Sequence, residues 1–309
     1  MNSNKIISWL SDGDVSIQYQ TWRDLLQTEK PELQKRIESE GWGKQLLDSR
    51  GADSHWGKGF YQPKWTSTHY TLLDLKNLAI HPGIPAIHDT VNRVFREQKG
   101  TDGGINPAKT IGVSDVCING MALNYGCYFG VDQEQTKSVV DCLLDQKMGD
   151  GGFNCRSNRS GARHSSLHTT LSVLEGIMEY KTNGYTYRLT ELLEAEKESL
   201  EFILIHRLFR SDRTGEVIRP QFLTFHYPCR WYYDILRAMD YFRAAMVPYD
   251  RHMDDALEII LRNKTTEGFW KQRAPHPGEV HFEMEKPGLP GRWNTLRAMR
   301  VLNFYRMPV

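Results

Sequence analysis

The feature that most constrains this chain is a helix–turn–helix unit at residues 139–180 that returns, in weaker form, on both sides of itself. It reads VVDCLLDQKMGDGGFNCRSNRSGARHSSLHTTLSVLEGIMEY. Apolar residues at helical spacing end at Gln146, the turn Asp150-Gly151-Gly152-Phe153 follows, and after a polar loop a second helix starts at about Ser165. Two helices cannot bury both their apolar faces alone. Repetition supplies the missing surface, so a chain of such units predicts a stacked helical array.

Five units can be written, spaced by roughly 50 residues. WGKQLLDSRGADSHWGKGF leads into STHYTLLDLKNLAI, and VNRVFREQKGTDGGI leads into SDVCINGMALNYGCYFG. The unit at 139–180 is the third. FILIHRLFRSDRTGEV then precedes FHYPCRWYYDILRAMDYF, and ALEIILRNKTTEGFW precedes GRWNTLRAMRVLNFY. Helices before the turn carry charge on one side, as in Asn92, Arg93, Arg96 and Glu97 or Asp141, Asp145 and Lys147, which suits an outer, solvated layer. Those after it are apolar around their circumference, as in Leu171, Val173, Leu174, Ile177 and Met178, which suits an inner layer. The turn glycines are expected at the helix ends, in the left-handed conformation that terminates a helix. The next residue, Phe153 or Trp270, is expected to pin the turn.

Upstream, Ile6, Trp9, Leu10, Ile17, Trp22, Leu25 and Leu26 predict two short helices broken at Asp12-Gly13-Asp14, with an aspartate capping the second. Pro31 opens another. The expected organisation is thus an N-terminal helical extension over residues 1–40 and a repeat domain over 41–309. At 309 residues the chain can bury a large core, and its net charge of +1 argues against a nucleic-acid partner. No apolar run approaches a membrane span, and no signal-peptide core is visible at the start. Five scattered cysteines do not read as a disulfide framework, so the expectation is a cytoplasmic protein with thiols mostly in the core.

Gln98-x3-Asp102-Gly103-Gly104 and Gln146-x3-Asp150-Gly151-Gly152-Phe153 resemble the Q-x3-(D/G)-G-x-(W/F) repeats of the squalene cyclase and protein prenyltransferase superfamily, the terpenoid cyclase-like proteins. The resemblance covers roughly residues 40–309 and implies an all-α fold, an α/α toroid of two concentric helical layers around a central cavity. The Asp-x-Asp-Asp acid that squalene-type cyclases use is missing, as is an Asp-Asp-x-x-Asp for a magnesium-bound diphosphate. Asp254-Asp255 reads as a solvated helix face. The resemblance therefore implies a transferase of the prenyltransferase type before a cyclase.

Aligning Leu75, Leu123 and Leu174 puts His69, Cys117 and His168 at one position near the inner-helix starts, with Asp115 two residues before Cys117. In the prenyltransferases such an Asp-x-Cys pair and a His from the next inner helix hold zinc. The matching residues here are Asp115, Cys117 and His168, a set that leaves one coordination position open for a substrate thiol. Read without the resemblance, such residues are core or hydrogen-bonding groups. His164 and His168, four apart, form a competing metal pair, against which stands a capping role for this cluster with Ser165 or Ser166. His226, Tyr227, Arg230, Trp231, Tyr233, Arg292, Trp293 and Asn294 cluster at the later inner-helix starts. Such aromatics are core residues in most proteins; in a toroid some also line the cavity, where Arg230 or Arg292 can meet an anionic end.

Three functions follow as expectations: an enzyme, zinc-dependent in one form, acting on an isoprenoid or other apolar substrate; a non-catalytic toroid that binds an apolar ligand or a protein partner; and a polysaccharide lyase or glycosidase, with His226, Tyr227 and Arg230 as candidate groups.

Overall fold

The structure is a computed structural model and describes residues 3–108, 112–156 and 160–307. In chain order its α-helices are α1 (Ser3–Ser11), α2 (Val15–Asp24), α3 (Pro31–Arg36), α4 (Gly41–Asp48), α5 (Thr68–Asn77), α6 (Pro85–Glu97), α7 (Val116–Tyr128), α8 (Gln133–Asp145), α9 (Leu167–Thr182), α10 (Leu189–Ile205), α11 (Ile235–Ala244), α12 (Asp254–Arg262) and α13 (Arg292–Phe304). Among the described residues β pairing is confined to isolated bridges, so the protein is all-α. None of the described helices is long and apolar enough to cross a membrane. Two compact units emerge: Met1–Ser49 with Asn77–His81 and Leu204–Val309, and Arg50–Lys76 with Pro82–Ile203. The N-terminal helices therefore share a unit with the last third of the chain.

In the unit built around Arg50–Lys76 and Pro82–Ile203, α7 is buried without interruption from Ile118 to Cys127, and α9 packs directly on it. The contact is backbone to backbone. A methyl group placed on Gly120 would lie 2.6 Å from the Ser172 carbonyl oxygen, and one on Gly176 would collide with the Gly120 carbonyl. The preceding helices α6 and α8 are amphipathic, burying Ile87, Val91, Val94 and Phe95 on one and Val139, Val140 and Leu143 on the other. The contrast between these one-faced helices and the buried α7 is the one charge placement predicts.

The two Gly-Gly turns are built alike. The Gly100 N–H donates to the Gly104 carbonyl (2.8 Å) and Gly103 to Gly100 (3.1 Å); Met148 donates to Gly152 (2.9 Å) and Gly151 to Met148 (3.0 Å). Gly103 and Gly151 take φ of 80° and 93°, a region glycine enters at no steric cost. These glycines do not terminate the helices as expected. The C-caps are Gln98 and Gln146, and the glycines shape a tight hairpin beyond them. Asp102 then accepts both the backbone N–H (2.6 Å) and the hydroxyl (2.8 Å) of Ser114, and Asp150 accepts the same pair from Ser165 (2.8 and 2.5 Å). Each aspartate thereby ties its turn to the residue leading into the next helix. Ser165 is thus consumed by Asp150, and Ser166, the N-cap of α9 by position, makes no side-chain capping bond.

In the other unit, α2, α11 and α13 share a core and α1, α3 and α4 pack on α2 or its neighbours. Asp14 caps α2 through the Ser16 N–H (2.9 Å), and Pro31 occupies the first turn of α3, both as the sequence predicts. A buried ion network crosses this core. Arg300 on α13 pairs with Asp24 of α2 (2.8 Å) and with Asp240 of α11, while Arg297 approaches Asp240 (3.7 Å) and Asp234 (3.8 Å). The Arg300 guanidinium holds the Asp24 carboxyl far below the usual carboxylate range despite its burial.

Candidate functional site at the helix starts

The residue after each turn donates its backbone N–H to a polar side chain on the following helix: Trp56 to Thr68 (3.0 Å), Ile105 to Asn119 (2.6 Å), Phe153 to Thr170 (3.0 Å) and Trp270 to Thr295 (3.1 Å). Phe153 and Trp270 are fully buried and do pin their turns. These four bonds fix a common register. Cys117 and His168 remain equivalent, each two residues before its anchor, and Trp293 joins them. The first helix, however, is one turn away from its leucine alignment: Thr66 occupies that position, and His69 corresponds to Gly120 and Leu171.

His69 is nonetheless the most informative side chain in its unit. It is fully buried, with Phe60, Tyr61, Tyr70 and Tyr125 around it at ring-centroid distances of 4.8–5.5 Å. Its Nδ1 lies 3.3 Å from the Tyr125 hydroxyl, and its Nε2 is buried with no hydrogen-bond partner among the described residues. Burial pushes the imidazole down to about 3, so it is neutral at physiological pH. Thr66 Oγ1, three residues earlier, is likewise buried and unsatisfied. Leaving such groups unmade costs about 1–3 kcal/mol each, and a ligand or an ordered water commonly explains them.

Beside this cage lies a group of ionisable side chains. Cys117 sits in the first turn of α7, and its backbone N–H donates to Sγ of Cys155 at 3.1 Å. The Thr169 hydroxyl also donates to Cys155 Sγ, at 3.6 Å. The contact with the Cys117 thiol holds Cys155 below the ordinary thiol range, whereas the same contact, together with burial, pushes Cys117 well up. Lys64, over the Trp65 ring at 4.9 Å, is lowered by burial, against the opposing pull of Cys117 and Asp115. Tyr61, whose hydroxyl lies 3.3 Å from that of Tyr70, is raised by burial and further by Cys117, Asp115 and Cys155.

Asp115 is the N-cap of α7 by position without a side-chain capping bond, and His168 is half-buried in the first turn of α9, its carbonyl accepting the Ser172 hydroxyl. Among the described residues no three His, Cys, Asp or Glu side chains are arranged to hold one metal ion. His164 stands 80% exposed, 4.0 Å from the Asp150 carboxylate. Cys155, expected as a core thiol, is half-buried and paired with Cys117.

The remaining candidates belong to the other unit, where several are held by structural bonds. Tyr233 donates its hydroxyl to the Leu208 carbonyl (2.5 Å), and Asn294 donates to the carbonyls of Phe225 and Lys271 (3.0 Å each). Arg292 bonds the Trp9 carbonyl (3.1 Å) and covers the Trp9 ring. Trp293 stacks on Tyr227 at 4.3 Å, while Trp231, Tyr232, His276 and His226 form a four-ring stack with spacings of 4.0, 3.7 and 4.6 Å. Arg230 is buried with a φ of 57°, the left-handed region that residues other than glycine seldom adopt. Glu285 accepts the Arg292 N–H at 2.5 Å, and burial raises it to about 7. No family model matches this chain, and neither does any curated protein.

Sequence reasoning missed Tyr61, Lys64, Tyr125 and Cys155. Only Cys155 carried a usable signal, since it follows the Gly-Gly-Phe turn by two residues.

Proposed function

We propose that this chain is a two-layered α/α toroid of the squalene cyclase and prenyltransferase kind, binding an isoprenoid or similarly long apolar molecule at the helix starts around His69. The recurring anchor bonds at Trp56, Ile105, Phe153 and Trp270 support the repeat reading. The single observation that carries the ligand is His69 itself: a neutral imidazole inside an aromatic cage, with one nitrogen left without a partner among the described residues. Aromatic walls with a few polar groups suit a mostly apolar molecule with one hydrogen-bonding atom.

Titration with farnesyl and geranylgeranyl diphosphate, and with the corresponding alcohols, tests this directly. Saturable binding that weakens at least tenfold in His69→Phe is expected; no binding of any of the four overturns it. In its enzymatic form the protein is a transferase before a cyclase, because the sequence lacks the Asp-x-Asp-Asp acid. Binding without turnover of any diphosphate would instead make it a carrier.

The zinc form of the reading, with Asp115, Cys117 and His168 as ligands, rests on the resemblance alone, and no step is assigned to a metal. Metal analysis of untagged protein decides it. About one zinc per chain, lost in Cys117→Ala and His168→Ala, supports that form, and metal-free protein removes it.

A further inference from the structure

We infer that Cys117 and Cys155 form a reversible redox dithiol, a site that hydroperoxides oxidise to an intramolecular disulfide. The inference rests on the thiol geometry and does not depend on the isoprenoid reading. Two donors converge on one sulfur: the Cys117 backbone N–H at 3.1 Å and the Thr169 hydroxyl at 3.6 Å. The first bond places Cys155 Sγ within about 4.6 Å of the Cys117 Cα, one N–Cα bond further on. Adding the roughly 2.8 Å between a cysteine's Sγ and its own Cα bounds the Cα–Cα separation at about 7.4 Å, an upper limit that spans the about 4.4–6.8 Å of bridged cysteines. Both residues are half-buried rather than sealed in the core, which leaves a path for a small peroxide. Among the described residues Cys142 bonds the Asp102 carboxylate, Cys229 bonds the His226 carbonyl and the Asp234 carboxylate, and Cys127 is fully buried.

The chemistry balances with a hydroperoxide as oxidant. The Cys155 sulfur attacks the terminal peroxide oxygen, the O–O bond breaks, and one oxygen leaves as water or alcohol with the thiol proton, giving a sulfenic acid. The Cys117 sulfur then attacks that sulfur and expels the second oxygen as water with its own proton. Two thiols are oxidised by two electrons and one peroxide is reduced. The new bond would tie the first turn of α7 to the loop after the Asp150–Phe153 turn, 38 residues away in sequence.

The test uses the full-length reduced protein and hydrogen peroxide at a small excess. Intact mass should fall by two hydrogens, peptide mapping should link the Cys117 and Cys155 peptides, and dithiothreitol should reverse the change. Cys155→Ser should lose the cross-link, and in Cys117→Ser dimedone should trap a sulfenic acid on Cys155 at least tenfold faster than on Cys127, Cys142 or Cys229. Cys142→Ala, which leaves the pair intact, should cross-link like the parent and guards against misfolding as an explanation. A parent protein whose mass does not change, or a cross-link through any other cysteine, overturns the inference.

Discussion

His69 and Glu285 show how burial, as the largest influence, can set the charge state of a side chain, and each gives a pH signature. For His69 the folded value of about 3 lies below the ordinary 6.5, so the unfolded chain binds the proton more readily between these limits. Stability is full above pH 6.5 and falls as pH drops toward 3; at pH 5 the loss is about 2 kcal/mol. Urea unfolding of the parent and of His69→Phe at pH 7 and pH 5 should show this loss in the parent only. At pH 7 the variant should stay within about 1 kcal/mol of the parent, because it removes an unsatisfied nitrogen as well as the bond to Tyr125. Glu285 has the opposite sign: its folded value of about 7 exceeds the ordinary 4.5, so the fold is favoured below pH 4.5 and loses stability as pH rises to 7. Between pH 5 and pH 8 the parent should lose about 2 kcal/mol relative to Glu285→Gln, which keeps an acceptor for the Arg292 N–H.

The elements depend on two kinds of contact that a helix pattern does not reveal. The α7–α9 crossing requires bare backbone at Gly120 and Gly176, so Gly120→Ala should destabilise by about 1–3 kcal/mol through forced separation of the helices. The α2, α11 and α13 core requires Arg300, whose removal leaves Asp24 and Asp240 buried without their main cation. Arg300→Met should cost about 3–5 kcal/mol in chemical denaturation, with loss greatest above the carboxylate range. Helix existence, the amphipathic character of α6 and α8 and the Asp-Gly-Gly turns were legible in the sequence because each is a local pattern. The phase of α5 was not. Leu72, Leu73 and Leu75 are all buried, and a helix buried all round has no polar face by which to set its register. Bonds from the preceding loop fix it, Trp56 to the Thr68 hydroxyl and the N–H groups of Thr68 and His69 to the carbonyls of Gly59 and Phe60.

At the scale of the whole molecule, the sequence pointed to Asp115, Cys117, His69 and His168 as one neighbourhood but could not supply their partners. Tyr125 meets His69 across 56 residues and Cys155 meets Cys117 across 38, and neither separation corresponds to a motif spacing. The aromatic residues near Tyr227 and Trp293 were visible as a cluster, yet Tyr233 and Asn294 turned out to be bound into backbone carbonyls, which composition does not distinguish from a ligand-facing role. The central claim is that the cage around His69 is a ligand site and not merely core. Native mass spectrometry with geranylgeranyl diphosphate at pH 7, comparing the parent with His69→Phe, tests it most directly. The account predicts one ligand per chain on the parent and at least tenfold weaker occupancy on the variant. Equal occupancy on both, or none on either, would contradict it.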